Sequence, residues 1–138
     1  MFYWFYTVFL KKVYFLEVGL RSHAVKVIFK NNGTISKSNL IVDTGATTTL
    51  IDYKLAKYLD IDLREYKERI TINTANGKIT VKAYKIDSVQ VGDKTLHSLK
   101  VLVSDLPTKQ NVSGLLGLNF LNNFKVVFNF KKGYMTLG

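Results

Sequence analysis

The stretch NLIVDTGATTTLID, residues 39–52, decides how this chain is read. Leu40, Ile41 and Val42 form a short apolar run of the kind that becomes a buried strand, and it stops on Asp43. Thr44, Gly45 and the small Ala46 follow. A strand that turns sharply on a glycine can hold a carboxylate at a fixed, accessible point. Gly45 permits close backbone approach, and Thr44 offers a hydroxyl to neighbouring backbone or to a second copy of the loop. As a bare tripeptide, Asp43-Thr44-Gly45 is more simply an Asx-type turn at a strand end. These residues alone leave both readings open.

Upstream, Val25, Val27 and Phe29 alternate with Lys26 and Lys30, the pattern of a strand with one buried face. Asn31-Asn32-Gly33 marks a turn, and a second strand is expected from about Lys37 through Val42. Downstream, Asp52 is placed to cap a short helix carrying Leu55, Tyr58 and Leu59 at helical spacing. Strand-like residues return from Arg69 to Thr74. Asn76-Gly77 then gives the strongest hairpin signal in the chain, and a strand from Lys78 to Ile86 leads away from it. Gly92-Asp93 predicts a tight turn before a strand from Leu96 to Val103. Ser104 to Ser113, with Pro107, reads as a polar loop. Gly114-Leu115-Leu116-Gly117 is a small apolar passage into a helical turn through Phe120 and Leu121. Phe124 to Phe130, a turn at Lys131-Lys132-Gly133, and Tyr134 to Leu137 predict a terminal hairpin.

The chain has 138 residues, enough for one buried core and too few for two substantial lobes. With 47% hydrophobic and 22% charged residues and a single proline, nothing argues for disorder, and the abundance of Tyr, Phe, Val and Ile favours a mainly β domain. There are no cysteines, which excludes disulfides and thiolate metal sites and fits a reducing cytoplasm. His23 and His97 lack ligand spacing, so neither a metal nor a cofactor is expected. The net charge of +10 brings nucleic acid to mind, yet the lysines are scattered, the basic runs are only the pairs Lys11-Lys12 and Lys131-Lys132, and no recognition motif accompanies them. A solvated basic surface is the simpler reading, and no specific nucleic-acid partner is expected.

Residues 1–20 form an apolar N-terminal extension to a domain spanning 21–138. The run MFYWFYTVFL is shorter than the roughly 20 apolar residues a spanning helix needs. It lacks the basic start and small-residue end of a secretory signal. It reads as an ordered β or amphipathic segment, with an interfacial anchor, and hence peripheral membrane association, as the minor alternative.

The order of NLIVDTGATTTLID, ITINTANGKITVKAY (70–84) and GLLGLNFL (114–121) resembles the retropepsin-like aspartic proteases, in particular small cellular relatives of the retroviral enzymes. The resemblance covers about Val25 to Leu137. It implies a mainly β, single-lobe closed barrel with one or two short helices that works as a homodimer. On this resemblance Asp43 is the catalytic carboxylate, supported by Thr44, Gly45 and Ala46. The hairpin bearing Thr74, Ala75, Asn76, Gly77 and Lys78, by itself an ordinary β-turn, becomes a flap over an extended peptide. Leu115 and Leu116 pack beneath the catalytic loop, and Gly117 permits a close chain crossing.

Aspartic proteolysis needs two carboxylates sharing one proton, one activating water while the other polarises the scissile carbonyl. This chain holds one Asp-Thr-Gly. Asp52, Asp93 and Asp105 are better explained as a cap, a turn residue and a loop residue, and Glu65 and Glu68 as solvated charges. The second carboxylate is therefore expected from a second copy across a two-fold axis. Many retroviral members carry an acidic residue soon after the Asp-Thr-Gly-Ala, paired with a basic residue just after the apolar-apolar-glycine. Thr47 and Leu118 stand there in this chain, so both halves of the pair are missing and no charge is stranded. The expected activity is endopeptidase action on extended polypeptides, the alternative a catalytically silent peptide-binding or dimerisation module.

Overall fold

The computed structural model describes residues 10–16, 23–106 and 111–138. Residues 1–9, most of the aromatic run, residues 17–22, and residues 107–110, within the expected polar loop, lie outside them.

Alternation of Val25, Val27 and Phe29 with lysines produces β2 (Ala24–Asn31), whose inward side chains are fully buried. It pairs antiparallel with β3 (Thr34–Val42) through a two-residue turn in which Asn32 and Gly33 both take positive φ (48° and 79°). That geometry matches the right-handed twist of the flanking strands, and Asn-Gly is the pair that adopts it most readily. A two-residue strand, β4 (Leu50–Ile51), comes next, and then α1 (Tyr53–Tyr58). Asp52 caps this helix, its Oδ1 accepting from Leu55 N–H at 2.8 Å. β5 (Glu68–Thr74) and β6 (Gly77–Val91) form a long hairpin, and β7 (Lys94–Val103) returns along β6. β8 (Gly114–Leu116) leads into α2 (Leu118–Leu121), followed by β9 (Val126–Asn129) and β10 (Tyr134–Leu137).

Six strands close on themselves in the order β2, β3, β8, β4, β7, β6, with β6 hydrogen-bonded back to β2 at Ile28–Lys30. Closure leaves few open strand edges. β8 makes the ring possible: it is inserted parallel to β3 and antiparallel to β4. The mainly β closed barrel with two short helices matches the architecture expected from the sequence. Phe29, Leu40, Ile51, Ile86, Val89, Leu116 and Phe120 fill the interior with no exposure.

Three expectations shift. The passage Gly114–Leu116, read as simple core, is a barrel strand. The hairpin turn lies one residue earlier than Asn76-Gly77: Thr74 pairs with Gly77, and Ala75-Asn76 are the loop. Thr74 explains this, because its hydroxyl donates to Gly77 O (2.8 Å) and accepts from Asn76 N–H (3.3 Å), while Gly77 alone takes positive φ (110°). The strand that leaves the hairpin runs to Val91 rather than stopping at Ile86, since β6 serves both the hairpin and the barrel wall.

A second sheet, ordered β1, β10, β9, is built from β1 (Lys12–Tyr14) and the terminal hairpin. β1 lies within the N-terminal extension. Its Val13 and the following Phe15 pack against the main core beside Met135 and Leu137. Among the described residues, no helix is long and apolar enough to cross a membrane.

Candidate active site

Asp43 follows the last residue of β3, where the chain leaves the ladder. Its own N–H donates to Leu116 O (3.0 Å), so the base of the loop is pinned to β8. Gly45 N–H donates to Asp43 Oδ1 (2.8 Å), and Ala46 N–H donates to Asp43 O (3.2 Å). The Asx-type turn and the positioned carboxylate are thus one feature. The turn fixes one carboxylate oxygen and leaves the half-buried side chain facing a cavity.

That cavity, about 610 Å³, is walled by Asp43 and Gly45–Thr48 of the loop, Leu50, Leu102 and Leu115 of the barrel, and Ile70–Asn73 of β5. Asp43 is the one acid in its lining. Asp52 is committed to its helix cap, Glu68 pairs with Lys100, and Asp93 and Asp105 are exposed on turns elsewhere. Ile70 and Ile72 pack on Leu50, Val81, Ala83, Leu102 and Leu115, which draws the hairpin over the loop. The tip, Thr74 to Lys78, is fully solvent-exposed and lies outside the cavity lining. The strand before the tip supplies Ile70 to Asn73 to the lining, with Ile70 and Ile72 half-buried.

Beneath the loop, Leu116 is fully buried and Leu115 half-buried toward the cavity. Gly117 passes so close to the loop that a Cβ there would sit 2.8 Å from Ala46 O and Thr48 C. Leu118 N–H donates to Ala46 O (2.8 Å) and Asn119 N–H to Thr47 O (3.0 Å), so the segment lacking the acid–base pair is stitched by backbone instead.

Two residues that the sequence gave no reason to single out hold this crossing together. Asn119 Oδ1 accepts from both the N–H and the hydroxyl of Thr49 (2.8 Å each), and its Nδ2 donates to Lys100 O (2.7 Å). The Thr49 hydroxyl also accepts from Gly117 N–H (3.1 Å). Thr49 is fully buried, so this network satisfies polar groups that would otherwise be costly to bury. Its only sequence signal is Asn119, a lone polar residue within the run GLLGLNFL. Thr44 is exposed, and its hydroxyl bonds to no other described residue. Among the described residues no group of His, Cys, Asp or Glu has the makings of a metal site.

Residues 28–123, from β2 through α2, match the family model described as "gag-polyprotein putative aspartyl protease". The fold is similar to that of a retropepsin-like aspartic protease from Rickettsia conorii, with a TM-score of 0.67 and 23% sequence identity over 94% of this chain and 92% of that one. No curated protein sequence matches. With more than half of its length matched by the family model, and Asp43 at the mouth of a retropepsin-like barrel, the chain belongs to the gag-polyprotein aspartyl protease family.

Proposed function

We propose that the protein is a homodimeric aspartic endopeptidase whose two Asp43 side chains, one from each copy, form the catalytic pair. The observation that carries this reading is Asp43 itself: a single carboxylate held by Gly45 N–H at the mouth of a cavity roofed by β5, with no second acid beside it. Two carboxylates about 3 Å apart share one proton, because both cannot ionise together. The ionised member takes a proton from water as the water attacks the peptide carbonyl, and the protonated member donates to the carbonyl oxygen. Collapse of the tetrahedral species returns a proton to the leaving amine.

An extended peptide suits the cavity. Ile70 and Ile72 give apolar contact from above, Leu50, Leu102 and Leu115 from below, and the rim of β5 offers backbone groups to a chain lying alongside. For the partner copy, the surface beside the loop is the natural contact. His23 O accepts from Val42 N–H, one residue before Asp43, and the His23 ring packs edge-on to Phe15 and against Phe130. Phe15, Phe128 and Phe130 stack in turn, with Phe130 63% exposed just after β9, which is an edge strand among the described residues. Covering such an edge and its aromatic rings stabilises association.

The test is Asp43→Asn, which keeps the size and the acceptor oxygen facing Gly45 N–H. It is expected to abolish cleavage of a diverse peptide library while leaving sedimentation behaviour and circular dichroism unchanged. Undiminished cleavage would sink the assignment.

A further inference from the structure

Among the described residues, the N-terminal half of β3 keeps one backbone edge open. In the β2–β3 ladder, Val42 N–H donates to His23 O, so the even-numbered residues of β3 direct their backbone groups toward β2. The odd-numbered residues face the other way. Asn39 O accepts there from Ser113 N–H, and β8 covers the edge from Leu40 onward. Ile35 and Lys37 point the same way and find no backbone partner among the described residues. Their N–H and C=O groups open into a groove of about 530 Å³ between β3 and α1.

The groove is basic. Lys37 stands on the strand, Lys54 and Lys57 on the helix, and no acid lines it. The ion pairs among the described residues are Arg64–Asp62 and Lys100–Glu68, so none of the three lysines is neutralised there. Ile35 and Tyr58 flank them at 54% and 61% exposure, and the hydroxyls of Ser36 and Ser38, 2.7 Å apart, lie on the floor. The groove shares no residue with the Asp43 cavity and lies about 20 Å away along β3, at about 3.4 Å per residue.

We propose that the open edge of β3 is a second peptide-docking site, which takes an extended acidic segment of a partner protein by strand addition. Each part of the groove fits that occupant. Unpaired strand groups need another main chain to satisfy them, which nucleic acid and lipid headgroups do not provide. Lysines along an edge repel a second copy of this +10 chain, and they attract a strand bearing Asp or Glu. Ile35 and Tyr58 supply apolar contacts for the side chains that alternate with the acidic ones. The proposal stands independently of catalysis.

The probe is a fluorescein-labelled hexapeptide of alternating Glu and Val, titrated with full-length Asp43→Asn chain and read by fluorescence anisotropy. Saturable, salt-sensitive binding is expected. Lys54→Glu with Lys57→Glu, two exposed positions whose fold is checked by circular dichroism, should weaken it by about tenfold. The same peptide with alternate amides N-methylated should also lose binding, since the added strand loses its donors. A single-stranded oligonucleotide of equal charge should fail to displace the peptide. Absence of saturable binding, indifference to the charge reversals, equal binding of the N-methylated peptide, or displacement by the oligonucleotide would each overturn the proposal.

Discussion

A carboxylate at a strand end is common; what gives Asp43 its setting is the set of residues that cannot move beneath it. Gly117 is one of these, because a methyl group there would meet backbone atoms of the loop and no side chain can swing aside. Gly117→Ala is expected to cost about 3 kcal/mol or more in urea unfolding, and to lower activity more than its stability loss alone would. Thr49 and Asn119 make a second, graded case. Thr49→Val leaves Gly117 N–H and one Asn119 acceptor site unsatisfied in the interior, at about 1–3 kcal/mol. Asn119→Ala breaks the same network from the other side, so the double variant should fall well short of the summed losses. Strict additivity in that cycle would contradict a shared network. Asp43 was legible because the hairpin at Asn76-Gly77 and the run GLLGLNFL follow its tripeptide in order, where the tripeptide alone also fits a plain turn. The polar pair beneath it was not, because a threonine and an asparagine acquire their roles only when residues 70 apart in sequence are brought together.

Among the elements, the hairpin of β5 and β6 carries both the clearest signal and the clearest shift. Asn76-Gly77 announced a hairpin, and the turn formed one residue earlier because the Thr74 hydroxyl bridges the loop. The cavity-facing residues followed from the alternation of Ile70 and Ile72, not from the turn. Ile72→Ser should therefore raise KM for peptides by several-fold with little change in global stability, whereas Lys78→Ala at the exposed tip should change neither. Steady-state kinetics on one peptide separates the two. β8 was the element the sequence hid: two leucines between glycines give no periodicity, and only barrel closure makes Gly114–Leu116 a strand. The base of the hairpin has its own anchor. Tyr84, buried in β6, donates its hydroxyl to Leu63 O (2.6 Å). Burial holds its phenol above the ordinary tyrosine range, with Tyr53, Asp62 and Tyr66 adding to the effect. The neutral form is the one the fold stabilises, so that stability is fully present below about pH 10 and lost as pH rises through the raised value. Tyr84→Phe should flatten the loss of stability above pH 10, read from urea midpoints at two alkaline pH values.

At the scale of the whole molecule, one barrel presents one carboxylate, and the reading of the protein as a protease depends on a second barrel facing it. The roofed cavity with its single acid and the exposed Phe130 beside the loop are the features on which the proposed pairing rests. The mainly β barrel could be read from strand alternation and turn residues. The sheet of β1, β10 and β9 could be read only in part, since β1 is a three-residue strand whose identity depends on a partner at the far end of the chain. The most direct test of the central claim mixes wild-type chains with Asp43→Asn chains at fixed wild-type concentration and follows peptide cleavage after subunit exchange. If each active site needs an Asp43 from both copies, equal mixing converts half of the wild-type chains into inactive pairs, and activity falls to about half. Activity that stays constant as the variant is added, under conditions where exchange is demonstrated, would contradict a catalytic pair shared between copies.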